Sequence, residues 1–335
     1  MIKVCLIGAG KMGISHLSIL GAHPDVQVVG VCDTSKIVLD VLKKYSAFPC
    51  YTDYQEMLED AEPDAVFVSV PTKYHAGIVK QILEKGKHVF AEKPLCLTAD
   101  EGEKIVELAS RRGVINQVGY HNKFIGTFRE AKRILDSGEL GEIFHFSGES
   151  YGPVVVKRKQ DNWRADPAEG GGCLMDYASH VIDLINYILG PITKVKGSIL
   201  KSFYSNKVED SVFSLLELSS KVTGVLSVNW SDETYRKMST SLTITGSKGK
   251  IICDANELKV HLKTSSNAGY TKGWNVKYVT DLTPPVDFYL RGEEYSAQVD
   301  YFIKAIQHKV PNNINTFKSA WYTDKVISFI KESVN

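Results

Sequence analysis

The sequence predicts an α/β chain of two parts: an N-terminal Rossmann domain, then an α+β domain with a large, mostly antiparallel, open-faced sheet. Three observations carry this. Short apolar strands alternate with helices up to about Tyr120. A glycine loop, Gly8-Ala9-Gly10-Lys11-Met12-Gly13, sits between the first strand and the first helix. Beyond Tyr120 the strands follow one another with little helix between them. A chain of 335 residues exceeds what one core usually serves, and the expected division is 1–120 and 121–335.

Taken in order, Ile2 to Ile7 is an apolar run ending in glycines and reads as a buried strand. A helix follows over Met12 to Ala22, then strands over Val26 to Cys32 and Ala65 to Val70, the latter stopped by Pro71. Tyr74 to Lys85 reads as a helix with Gly86 beyond it, and His88 to Ala91 as a strand leading into Glu92-Lys93-Pro94. Thr98 is the expected N-cap of a helix from Ala99 to Arg112 that Gly113 ends, and Val114 to Gly119 is one more strand. The second part opens with a helix (Thr127 to Leu135) and a strand (Ile143 to Glu149). A polar loop then leads to a helix from about Cys173 to Leu189. Val212 to Leu218, Thr223 to Trp230 and Ser241 to Thr245 alternate apolar and polar residues, as half-exposed antiparallel strands do. Helices over Tyr295 to Gln307 and Phe317 to Lys331 close the pattern.

The formal net charge is +1, with no basic block, so nothing in the charge attracts nucleic acid or an anionic membrane. The first apolar stretch is too short for a signal-peptide core, and no stretch has the apolar length of a membrane span. The six cysteines are scattered without a C-x-x-C pair. Buried reduced thiols are therefore expected, with a cytoplasmic location and no cysteine metal site.

Gly8, Gly10 and Gly13 fit G-x-G-x-x-G in its full context: after a strand, before a helix, and with Asp33 twenty positions beyond Gly13. Gly8 permits the tight turn, Gly10 lets a pyrophosphate approach the backbone, and Gly13 lets the helix pack closely on the strand. The helix N-terminus, with Lys11 and Met12 in its first turn, offers unpaired N–H groups to phosphate. Asp33 is placed to accept hydrogen bonds from the adenosine ribose and to repel a 2′-phosphate, so NAD is expected rather than NADP.

Two segments carry candidate chemistry. Glu92-Lys93-Pro94 follows a strand at its carboxyl end, the edge where open α/β sheets bind ligands, and Lys93 there can hydrogen-bond a substrate hydroxyl. A solvent-exposed lysine before a strand-ending proline fits the tripeptide equally well. In the segment Gly170-Gly171-Gly172-Cys173-Leu174-Met175-Asp176-Tyr177-Ala178-Ser179-His180, Asp176 and His180 are i and i+4 and would share a helix face. A carboxylate can orient an imidazole whose pKa suits removal of an alcohol proton. A surface Asp–His pair is the plainer alternative. No third ligand lies at a metal spacing, so no metal is expected.

Together these motifs resemble the Gfo/Idh/MocA oxidoreductase family over essentially the whole chain. The glycine loop, the E-K-P tripeptide and G-G-G-x-x-x-D-x-x-x-H appear in the family's order. The resemblance implies hydride transfer between nicotinamide and a secondary alcohol of a sugar, sugar derivative (nucleotide sugars included) or inositol. It implies that Lys93 binds cofactor and substrate hydroxyl, that Asp176 holds substrate and imidazole, and that His180 is the general acid/base. Pro71, Thr72 and His75 resemble the family's segment beside the nicotinamide ribose, and Glu92 precedes the lysine on the cofactor side. Asn162-Trp163-Arg164 resembles a segment upstream of the triple glycine, so Trp163 and Arg164 are substrate-binding candidates. One departure is visible: Asn122-Lys123 stands where many members have Arg before the aromatic, in a segment that lines the substrate side. Face-to-face pairing of the sheets is also implied, giving a homodimer or homotetramer.

Other residues are weaker candidates. Tyr120 and His121 follow a strand end, where contact with substrate and a structural role weigh equally. Lys157 and Arg158 read as a solvated loop, and His16, on the first helix, reads as packing. Two rival functions share the scaffold: cofactor-assisted elimination or hydrolysis of a glycoside, and a non-catalytic NAD(H) sensor.

Overall fold

The computed structural model describes residues 1–158, 163–266 and 269–334. The chain forms two units, one of residues 1–121 and 285–321, the other of 122–284 and 322–335. The first boundary falls beside the expected one. The difference is that residues 285–321 return to the N-terminal unit instead of staying in the second. Their reason for returning is apolar: Val299, Phe302 and Ile303 are fully buried in the core that also holds Leu6, Phe67 and Phe90.

The first unit begins β1 (Ile2–Ile7), α1 (Lys11–Ala22), β2 (Val26–Cys32), α2 (Lys36–Tyr45), β3 (Cys50–Tyr51), α3 (Tyr54–Asp60) and β4 (Ala65–Val68). It continues with α4 (His75–Glu84), β5 (His88–Ala91), α5 (Ala99–Arg112) and β6 (Asn116–Val118). The six strands are all parallel, in the order β3-β2-β1-β4-β5-β6. That order reverses direction at β1 and β4, the switch point of a doubly wound sheet, where the strands' carboxyl ends open a crevice for ligands. β1, β4 and β5 are apolar on both faces because helices cover both. The caps of α5 follow the sequence: the Thr98 side chain accepts from the Glu101 N–H at 3.3 Å, and Gly113 takes a left-handed φ of 63°.

In the second unit come α6 (Gly126–Asp136), β7 (Ile143–Tyr151), a π-helical turn (Leu174–Ala178) and α7 (Ser179–Leu189). Then follow β8 (Ile192–Lys201), β9 (Ser211–Leu218), β10 (Thr223–Asn229), β11 (Ser239–Gly246), β12 (Gly249–Asp254), β13 (Glu257–Leu262), β14 (Gly273–Tyr278) and the short α8 (Val279–Leu282). The eight strands run in the order β14-β13-β12-β11-β7-β10-β9-β8, antiparallel throughout except for the parallel pair β7 and β10. α7 packs on this sheet at Gly148, where a Cβ would come within 2.7 Å of Val181 and 2.8 Å of Ile185. The close approach seats the helix that carries His180. Finally α9 (Glu293–Ile306) belongs to the first unit, and α10 (Phe317–Glu332) runs across the boundary into the second. No helix of the described residues is long and apolar enough to cross a membrane.

Candidate active site

The dinucleotide loop is fixed by sterics at both ends and open in its middle. Gly8 has a φ of 91°, and a Cβ there would meet the Ser69 carbonyl oxygen at 2.4 Å. A Cβ on Gly13 would lie 1.9 Å from the Gly8 oxygen. Gly10 is the opposite case: nothing lies within 4 Å of its added Cβ. The loop thus keeps clear space over the position where a pyrophosphate must approach the backbone, and the residues fit a dinucleotide. No side chain caps the start of α1, so its first N–H groups remain available to an anion. Lys11 is exposed there and Met12 is half-buried. Asp33, at the end of β2, accepts from the Ala9 N–H at 2.7 Å and from the Ser35 N–H at 2.8 Å. These bonds fix the carboxylate, and each oxygen carries a second lone pair for a ribose hydroxyl.

At the carboxyl end of β5, Glu92 is turned inward rather than toward a ligand. Its Oε1 lies 2.6 Å from Nε2 of His16, and the imidazole is 1 % exposed. Burial pushes the Glu92 carboxyl up, but the hydrogen bond and charge of His16, with Lys93, hold it below the ordinary value. Its Oε2 accepts from the Lys93 N–H at 3.3 Å, and the Lys93–Pro94 peptide is cis. Lys93 itself is half-buried.

Two of the expected site residues are buried. His75 is 1 % exposed, and both ring nitrogens face backbone carbonyls, Pro94 at 3.0 Å and Val70 at 2.9 Å. The ring ties the ends of β4 and β5 together and is consumed by that task; burial holds its pKa below the usual value. Beside it Thr72 is buried and Pro71 exposed. Tyr120, at 1 % exposure, packs in the core with Val118 and Phe317. The next residue, His121, stacks on Tyr295 with centroids 4.6 Å apart. Burial pushes its imidazole down to about 4, in spite of Glu92, and raises the Tyr295 hydroxyl to about 12.

In the second unit the glycine segment is clamped from two sides. A Cβ on Gly171 would fall 2.3 Å from the Arg164 oxygen, and Gly172, with φ 107°, lies against the Glu209 carboxylate. Glu209 accepts from the Leu174 N–H at 2.7 Å, anchoring the first turn. Burial raises its pKa. The helix expected from Cys173 therefore begins as a π-helical turn, and Asp176 lies in that turn while His180 is in α7. The regular i, i+4 spacing on one α-helical face does not apply, because a wider turn intervenes. Neither residue is a surface group: Asp176 is 8 % and His180 4 % exposed. Arg164 donates from Nε to Asp176 Oδ2 at 3.0 Å and stacks on Trp163 with 4.4 Å to the ring centroid. Both are partly exposed, while Asn162 lies outside the described residues. Lys157 and Arg158 are exposed, consistent with a loop in solvent.

The departure at Asn122-Lys123 acquires a structural reason. Lys123 Nζ pairs with Asp183 Oδ1 at 2.7 Å, and both side chains are at most 3 % exposed. Burial pushes the Asp183 carboxyl up to about 6, with Lys123 pulling against it. The ion pair ties the segment after Tyr120 to the same helix that holds His180. Asn122 is 4 % exposed. Sequence reasoning read His16 as packing and passed over Glu209 and Asp183. Two had a signal in their spacing, since His16 follows Gly13 by three positions and Asp183 follows His180 by three. Among the described residues no group of three or more His, Cys, Asp or Glu is placed to hold a metal.

Residues 2–120 match the model of an oxidoreductase family's NAD-binding Rossmann fold, and residues 128–252 match the GFO/IDH/MocA C-terminal domain. The chain belongs to the Gfo/Idh/MocA oxidoreductase family. It is 32 % identical over 203 residues to the scyllo-inositol 2-dehydrogenase (NAD(+)) of Bacillus subtilis, covering 58 % of this chain and 56 % of that one. It is 24 % identical over 320 residues to the inositol 2-dehydrogenase of Rhizobium meliloti, covering 91 % and 89 %. The chain spans about half the length of several curated relatives it matches. In fold it resembles a levoglucosan dehydrogenase solved with NADH and levoglucosan, with a TM-score of 0.88, 21 % identity and coverage of 99 % and 96 %. The N-terminal unit of this family member is thus an NAD-binding Rossmann domain.

Proposed function

We propose that the protein is an NAD-dependent dehydrogenase or reductase acting on a secondary alcohol of a sugar, sugar derivative or inositol. The observation that carries the reading is the burial of Asp176 and His180, at 8 % and 4 % exposure, in a chain whose first unit is an NAD-binding domain. An ionisable pair is costly to bury, and such pairs gather at sites of chemistry. The inositol and levoglucosan dehydrogenases it resembles support the substrate class.

On this reading His180 takes the hydroxyl proton during oxidation and returns it during reduction. Lys93 donates a hydrogen bond to the same oxygen and favours its negative charge as the proton leaves. Asp176, held by Arg164, orients substrate and imidazole, and Trp163 with Arg164 borders the substrate. Gly8, Gly10, Lys11, Met12, Gly13 and Asp33 hold the dinucleotide. Bound NAD supplies the hydride acceptor. The six cysteines are free, which fits work in the reducing cytoplasm. Exposed Ile199, Phe213, Leu215, Trp274 and Val276 lie on β8, β9 and β14 of the open sheet, which fits a homodimer or homotetramer formed through that sheet.

The test is NAD reduction by the purified protein across polyols, free sugars, uronic acids and nucleotide sugars. NADH formation with at least one secondary alcohol is expected. Tight NADH binding without turnover across the whole panel overturns the reading in favour of a sensor.

A further inference from the structure

We propose that His16 is a positioning residue: by holding Glu92 it fixes the backbone that presents Lys93, and so links the helix that receives the dinucleotide to the lysine. His16 lies one turn into α1, three positions after Gly13. Its ring is locked among aromatic side chains, with centroids 5.0 Å from Phe90 and 5.7 Å from Phe67, and these two stack on each other at 4.5 Å. From that fixed place Nε2 reaches Glu92 Oε1 at 2.6 Å across 76 residues of sequence. Glu92 has no freedom of its own: a Cβ on Gly119 would sit 3.0 Å from its Oε1, and its Oε2 accepts from the Lys93 N–H. Lys93, His121 and Arg291 also lie close enough to bear on this cluster electrostatically.

The arrangement is not one that packing alone selects. The Nδ1 of His16 is buried with no hydrogen-bond partner. A leucine would fill the same aromatic box without an orphaned nitrogen, so the imidazole's single bond to Glu92 is what distinguishes it. With Nδ1 unpaired, the ring donates from Nε2, and the carboxylate accepts. The pair then joins the second turn of α1, just after the phosphate loop, to the strand end that carries Lys93.

This inference rests on the dehydrogenase reading for its kinetic arm only. The test compares wild type, His16→Leu and His16→Gln; the glutamine amide can donate toward Glu92, and leucine cannot. In His16→Leu, turnover falls by about 100-fold, the size expected when a reacting group is misplaced by about 1 Å. NADH affinity by fluorescence titration stays within about threefold, and His16→Gln restores most of the turnover. The second arm needs no substrate: the rate of Lys93 reductive methylation, followed by peptide mass spectrometry in NADH-loaded protein, changes several-fold in the leucine variant and returns with glutamine. Equal Lys93 labelling in all three proteins, with unchanged melting temperatures, overturns the proposal. So does an equal loss in both variants. If wild type turns over no alcohol, the dehydrogenase reading fails, and the labelling arm still decides the role of His16.

Discussion

The two units build their candidate sites from different materials. In the first, the backbone forms the binding surface: glycines whose added Cβ would strike a carbonyl, an open place over Gly10, and uncapped N–H groups. In the second, buried side chains form it, and two of the buried carboxylates carry a counter-charge, Arg164 on Asp176 and Lys123 on Asp183. The difference teaches where each unit is vulnerable. A backbone site is lost when its path is blocked and tolerates the loss of one side chain. A side-chain site keeps its path and fails when one partner of a buried pair is removed.

The largest expected effect is in the second unit. His180→Ala lowers kcat/KM by about 1,000-fold, within the range for general acid–base groups, while NADH affinity by fluorescence is unchanged. Loss of cofactor binding instead removes the separation of tasks between the units. Next, Lys123→Met leaves Asp183 buried without its cation and destabilises by about 3 kcal/mol, read from urea unfolding. A neutral result makes the pair dispensable and the contrast with the first unit false. Third, Asp33→Ala weakens NAD by about tenfold, the size of a hydrogen bond to a charged group, and narrows the preference over NADP. Complete loss of dinucleotide binding would show that a side chain, not the backbone, holds the ligand. The last effect concerns pH. Burial holds His121 down to about 4, whereas an unfolded histidine titrates near ~6.5. The unfolded chain therefore binds more protons between those values; this stability is whole above pH ~6.5 and is lost as pH falls through about 4. His121→Phe keeps the stack on Tyr295, and its unfolding free energy, read from urea unfolding, falls less steeply with acid, by about 2 kcal/mol at pH ~5.

The Rossmann strands, the glycine loop with Asp33, the caps of α5 and the alternating strands of the large sheet were legible because each rests on local pattern. The stretch holding α2, β3 and α3 was not assigned, since its strand has two residues and α2 buries only Leu39. Candidate site residues divide the same way. Gly8, Gly10 and Gly13 declare their roles by spacing, and Asp176 and His180 were found by motif. The π-helical turn that holds Asp176 has no local signature, and the residue that anchors its first N–H, Glu209, lies 35 positions away. His75 was a candidate by resemblance and Tyr120 by its place after a strand end, where a structural role weighed equally; only the packed structure shows how deeply both rings are buried. His16 was read as packing for the complementary reason: its partner is 76 residues distant, and no periodicity records a contact of that range.

The return of residues 285–321 to the first unit sets an order on synthesis. When residue 121 leaves the ribosome, the parallel sheet still lacks Val299, Phe302 and Ile303 on one side and Phe317 and Ala320 on the other. Phe67 and Phe90, the walls around His16, meet Phe302 only after residues 122–284 of the second unit have emerged. The nascent chain thus carries an unfinished aromatic face through most of its elongation, a phase in which chaperone capture protects it from aggregation. A polypeptide cut short before α9 is expected to keep that face bare, so the glycine loop cannot be harvested as a free-standing N-terminal fragment.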